Sequence, residues 1–143
     1  MIIKINKKNL SDLFNLQYQV FQPLKEFVSK SEFMSIVNKY KYKKNFFPFP
    51  IYLAIKNNIK YKYKKKIELY YLNHKVCDFK LNSIYKLNKK KILMKLFFTN
   101  NPNHPGVREF LKSGEYFLNG KILNFNKKIF NLLKIDFFSP DKI

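Results

Sequence analysis

The chain has 143 residues, 46% of them apolar and 18% aromatic, and a formal charge of +20. That length and apolar share give one domain with a buried core, and they exclude general disorder despite the charge. The sign of the charge points to nucleic acid or an anionic surface, yet Arg108 is the sole arginine among 29 basic residues and Trp is absent. Lys, Asn, Ile, Phe and Tyr rising together read as AT-rich coding drift. A groove selected for phosphates retains arginine, whose planar fork binds them bidentately. Cys77 alone cannot form an intrachain disulfide and fits a reducing compartment. His74 and His104 lie too far apart for metal-ligand spacing. Met1 to Lys8 lacks the apolar core of a signal peptide, and the most apolar run, Phe46 to Ile55, is too short to span a membrane and contains Pro48 and Pro50. No metal, cofactor or membrane is expected, and a cytoplasmic location is the default.

Met1 to Ile5 is predicted to form a short strand. Leu10, Leu13, Phe14, Leu16 and Val20 then predict a short helix beginning after Asn9 or Ser11. Ser29 with Glu32 makes a capping box, and Phe33, Ile36, Val37 and Tyr40 follow at i, i+3, i+4 and i+7 on one apolar face. Lys41 to Asn45 reads as a solvated loop. Strands are predicted at Ile51–Ile55, Ile67–Leu72 and Lys75–Phe79, the last two joined by a hairpin turn at Asn73-His74 with Asn73 suited to positive φ. A further strand is expected over Ile92–Phe98. Pro105 suits the first turn of a short helix and Gly114 its C-terminal stop. Tyr116 to Leu123 reads as a last strand, with a turn or bulge at Asn119-Gly120. The tail, 124–143, is apolar but patternless. Several strands with two or three short helices make an α+β domain on a small barrel or open sheet.

Candidate chemistry is sparse. The nine acidic residues show no carboxylate pairing suited to general acid–base work, and no catalytic residue is assigned. Glu32 is accounted for by its cap, and Cys77 by a small core position. His104 is read as a structural residue tying the turn before Pro105. Arg108 is expected to form an ion pair within the chain, near Glu109 or with Asp136, or to reach another domain. The run Lys60-Tyr61-Lys62-Tyr63-Lys64-Lys65-Lys66 interleaves rings and cations as single-strand binders do, making Tyr61, Lys62, Tyr63 and Lys64 candidate RNA contacts. The favoured reading of that run is a solvated lysine-rich edge that discourages edge-to-edge pairing.

Four segments, in order, resemble the N-terminal domain of ATP sulfurylase (sulfate adenylyltransferase). Phe21-Gln22-Pro23-Leu24-Lys25-Glu26-Phe27-Val28 resembles the family's Ser-Pro-Leu-x-Gly-Phe-Met, with Gln22, Glu26 and Val28 departing from it. The helix with Phe33-Met34-Ser35-Ile36-Val37 follows at the expected distance. Phe47-Pro48-Phe49-Pro50-Ile51 resembles Trp-Pro-x-Pro-Ile, and Thr99-Asn100-Asn101-Pro102-Asn103-His104-Pro105-Gly106-Val107 resembles Thr-x-Asp-x-x-His-Pro-Gly-Val, followed by Gly114 and Asn119-Gly120. The resemblance implies a PUA-like fold over 1–123, with 124–143 as a connector or docking tail. Pro23, Leu24, Phe27, Pro48, Pro50, His104, Pro105, Gly106, Val107, Arg108 and Gly120 then serve structural or interdomain roles. The family's catalytic domain carries Gln-x-Arg-Asn-Pro-x-His-x-x-His, which binds sulfate and the ATP phosphates, and nothing in these residues matches it. The chain alone is therefore expected to be inactive, a non-catalytic accessory domain acting with a separate catalytic nucleotidyltransferase in sulfate activation. PUA-like domains elsewhere bind RNA, so an RNA-binding module using the Lys/Tyr-rich surface is the alternative.

Overall fold

A computed structural model of the chain describes residues 1–56, 66–129 and 131. Strand β1 (Ile2–Ile5) gives way at Asn6 to helix α1 (Lys7–Gln17). The helix starts earlier than the apolar spacing predicts, because Asn6 caps it: its side chain accepts from the Asn9 amide, and the Asn9 side chain accepts from the Asn6 amide in return. This reciprocal cap satisfies two donors that the first turn otherwise leaves open. Helix α2 (Lys30–Lys39) carries the predicted Ser29–Glu32 capping box, with Phe33, Ile36 and Val37 buried. Tyr40, predicted on that apolar face, instead closes the helix at φ 54° and lies 37% exposed.

The stretch predicted as a solvated loop is a small hairpin, β2 (Lys41–Tyr42) with β3 (Asn45–Phe46), turned by Lys43 at φ 56°. Of the strand predicted over Ile51–Ile55, only β4 (Ala54–Ile55) pairs. Strands β5 (Lys66–Tyr71) and β6 (His74–Tyr85) form the expected hairpin, but the positive φ falls on Leu72 and not on Asn73. Strand β6 runs well past Phe79. Its outer half reads as polar because Lys80, Asn82 and Ser83 are exposed.

The strand predicted over Ile92–Phe98 is helix α3 (Lys89–Phe97). Asn88 caps it by accepting from the Lys91 amide, and Ile92, Leu93 and Leu96 fall on one buried stripe at helical spacing. The apolar run is short enough to suit either period, and the cap decides it. Helix α4 (Pro105–Lys112) and strand β7 (Tyr116–Leu123) complete the chain order. Among the described residues four helices stand where two or three were expected.

The sheet order is β1-β5-β6-β7-β4, antiparallel throughout except for the parallel β1–β5 pair. It curls into a half-barrel whose end strands, β1 and β4, do not pair with each other. The interior is aromatic: Phe117 lies 5.6–6.1 Å, centroid to centroid, from Tyr85, Tyr52, Phe33 and Phe110. Lys89 binds the end of α4 through the carbonyls of Phe110 and Ser113, at 2.9 and 2.6 Å, where a cation meets the negative end of the helix dipole. Packing continues beyond β7, since Phe125 lies against the core and Ile129 is fully buried. Residues 130 and 132–143 of the tail lie outside the described residues.

None of the three glycines has positive φ. Helix α4 ends at Ser113, and Gly114 sits where an added Cβ would fall 1.9 Å from the backbone of Ile55. At Gly120 an added Cβ would fall 2.3 Å from the Lys80 carbonyl oxygen. The bulge expected there lies on the partner strand, where Asn82 is the extra residue between the pairs Leu81↔Gly120 and Ser83↔Asn119. Both glycines are places of close backbone approach, not of unusual backbone angle.

Candidate functional site: a basic cleft at the open seam of the half-barrel

The residues singled out in the sequence separate into two structural centres. At the first, the loop from Pro23 to Phe27 lies against β7. Phe27 and Gly120 exchange two backbone hydrogen bonds of 3.1 Å, and the buried Asn119 side chain donates to the Phe27 carbonyl at 2.7 Å. Leu24 and Phe27 are fully buried, while Pro23, which follows a cis peptide bond, is exposed. The second centre gathers around Phe97, whose ring lies 5.5 Å from Phe49 and 5.5 Å from His104. Phe49 stands between the exposed Pro48 and the buried Pro50, so this ring joins the Pro-Phe-Pro segment to the His104-Pro105-Gly106-Val107 segment.

His104 is the N-cap of α4. Its Nδ1 accepts from the amides of Gly106 and Val107 at 3.1 and 3.3 Å, and Val107 is fully buried. Among the described residues no group of three His, Cys, Asp or Glu side chains gathers to hold a metal. No helix among them is long and apolar enough to cross a membrane. Cys77 is fully buried, and burial pushes its thiol up to about 12. The candidate RNA contacts Tyr61, Lys62, Tyr63 and Lys64 lie outside the described residues.

Arg108 lies elsewhere. It is exposed on the outer face of α4, and no carboxylate among the described residues comes within 4.0 Å of it. It borders a cleft of about 900 Å³ between β1 and the start of α1 on one bank and β4 and α4 on the other. This is the open seam of the half-barrel. Lys4, Lys8, Lys56, Arg108 and Lys112 line it, against one lining carboxylate, Glu109. Its apolar lining includes Ile2, Ile55, Tyr52 and Pro105. Sequence reading reached only Arg108 and Pro105 of this set, because the lysines are indistinguishable from the many others until the strands bring them together.

The floor is electrostatically coupled. Lys8 bonds Asp12 at 3.2 Å and lies 4.2 Å from the centre of the Tyr52 ring. Burial raises the Asp12 carboxyl above its ordinary value against the opposing pull of Lys8, and the charge of Glu109 adds to the rise. Burial likewise raises the Tyr52 hydroxyl, with Glu109 and Asp12 contributing. The two carboxylates, far apart in sequence, therefore face the same side chain from α1 and α4.

The profile of the PUA-like domain family matches residues 1–127, nearly the whole chain. The chain belongs to the PUA-like domain family. This PUA-like domain is also similar to sulfate adenylyltransferases. It is 28% identical over 126 residues to that of Thermococcus onnurineus, covering 87% of this chain and 33% of the relative. To that of Pyrococcus abyssi it is 26% identical over 126 residues, with the same coverage. To that of Carboxydothermus hydrogenoformans it is 29% identical over 125 residues, covering 84% of the chain and 32% of the relative. The chain thus spans about a third of the length of the relatives it matches, and it resembles their N-terminal region.

Proposed function

We infer that this PUA-like domain is a non-catalytic accessory unit of sulfate activation, acting with a catalytic nucleotidyltransferase carried on a separate chain. The observation that carries the reading is the similarity to sulfate adenylyltransferases along 87% of the chain but only 33% of the relative. The side chains present support the non-catalytic half of it. Nucleotidyl transfer needs cations placed on the phosphates and on the developing charge, and the family's Gln-x-Arg-Asn-Pro-x-His-x-x-His motif that supplies them has no match in these residues. His104, its one motif histidine, is engaged through Nδ1 with the amides of α4.

The test uses the full chain and the catalytic portion of a sulfate adenylyltransferase from which its own N-terminal third has been removed. Mixing the two should raise sulfate-dependent ATP–pyrophosphate exchange above that of the catalytic portion, while the chain alone shows none. An exchange rate unchanged by saturating chain overturns the reading.

A further inference from the structure

We propose that the open seam between β1 and β4 is a binding site for an extended acidic peptide, which pairs with the free edge of β1 and is held by the cations of the cleft. The backbone supplies the first argument. Glu68 donates its amide to the Met1 carbonyl, and β1 pairs with β5 in the register Ile2↔Glu68. Successive residues of a strand direct their N–H and C=O groups to opposite sides, so Ile3 and Ile5 bond β5 while Ile2 and Lys4 present theirs to the outer edge. Across the cleft, Leu118 donates to the Leu53 carbonyl, and Ala54 is paired with Phe117. By the same alternation Ala54 presents its N–H and C=O away from β7. Two strand edges without a strand partner among the described residues therefore line one cleft. An unpaired edge is a template for a further strand. Strand β1 offers four residues, about 13 Å of edge.

Charge supplies the second argument and selects the occupant. Five cations and one carboxylate line the seam. Lys4 lies on the pairing edge itself, where a lysine repels neutral or basic strands and attracts an acidic one. Arg108 is exposed at the cleft, and its planar fork matches a carboxylate of the incoming strand. An alternating acidic and apolar peptide fits this edge, with its carboxylates on the face that carries Lys4 and its apolar side chains on the opposite face, beside Ile3 and Ile5. The seam takes such a strand whether or not the domain serves sulfate activation.

The experiment measures fluorescence anisotropy of a short labelled peptide alternating glutamate and valine, added to the full chain at physiological ionic strength. The same peptide N-methylated at alternate residues keeps every charge but loses one edge of donors. The proposal expects saturable binding of the first peptide and about tenfold weaker binding of the second. Arg108→Gln should also weaken the first about tenfold while leaving the melting temperature unchanged, and bound peptide should slow amide exchange at Ile2 and Lys4. Equal affinity for both peptides reduces the effect to attraction of a polyanion and overturns the proposal. So does absence of binding at this ionic strength. Displacement of the peptide by a lower concentration of single-stranded oligonucleotide assigns the cleft to nucleic acid instead.

Discussion

Replacing Gly114 with alanine is the sharpest test of how the seam is built. The added Cβ would fall 1.9 Å from both the carbonyl carbon and the oxygen of Ile55, and 2.5 Å from the Lys56 amide nitrogen. Ordinary contact begins near 3.4 Å, so the two segments must part by roughly 1.5 Å. The obstacle is backbone and cannot rotate away. Tyr116, two residues on, pairs with Ile55, so the displacement is delivered directly to the β4–β7 ladder. Overpacking of this kind costs about 1–3 kcal/mol, and a weakened ladder hydrogen bond adds about 1 kcal/mol. Reduced freedom of the unfolded chain returns about 0.4–1 kcal/mol. The net, about 2 kcal/mol, should lower the melting temperature followed by circular dichroism by roughly 7 °C. Gly106→Ala is the control. Its added Cβ falls 2.6 Å from a ring carbon of Phe97 and 3.1 Å from one of His104, side chains and not backbone, and alanine improves the helix, so its loss of melting temperature should be smaller than that of Gly114→Ala. A Gly114→Ala protein that melts with the parent would refute the close-approach account of this glycine.

Three further outcomes follow from the same geometry. Because burial raises the folded-state pKa of Asp12 above 3.8, the folded chain binds that proton more tightly than the unfolded one. Its contribution to stability therefore falls as pH rises from 3.8 through the folded value, and the urea midpoint of the parent minus that of Asp12→Asn should decline over that window; a rising difference contradicts the assignment. Cys77, fully buried with its thiol pushed up to about 12, should resist Ellman's reagent at mildly alkaline pH until the chain is denatured, and rapid labelling of native protein would show the burial to be wrong. His104→Ala should cost about 1 kcal/mol through loss of the α4 cap, with His104→Asn restoring most of it, and equal losses in the two variants would mean that capping is not its role.

What the sequence made legible is local and signalled by specific residues. The Ser29–Glu32 box, the Pro105 start of α4 and the β5–β6 hairpin rest on side-chain chemistry acting within a few positions. The failures share a cause. Asn6 and Asn88 are caps in a chain crowded with asparagine, so neither stood out, and without the second cap Ile92–Leu96 was compatible with either period. Glycine scarcity did mark Gly114 and Gly120, but what they accommodate is the backbone of Ile55 and of Lys80, distant in sequence. The cleft was least legible of all. Lys4, Lys8, Lys56 and Lys112 acquire meaning only when the half-barrel leaves β1 and β4 facing each other, and tertiary placement alone separates them from the other lysines.

The central claim is that this PUA-like domain works with a separate catalytic chain. Its most direct test is a titration of the full chain into a fixed amount of sulfate adenylyltransferase catalytic portion, followed by sulfate-dependent ATP–pyrophosphate exchange. The account predicts a rate that rises and saturates at equimolar chain. A rate indifferent to the chain, or raised equally by an unrelated lysine-rich protein, contradicts it.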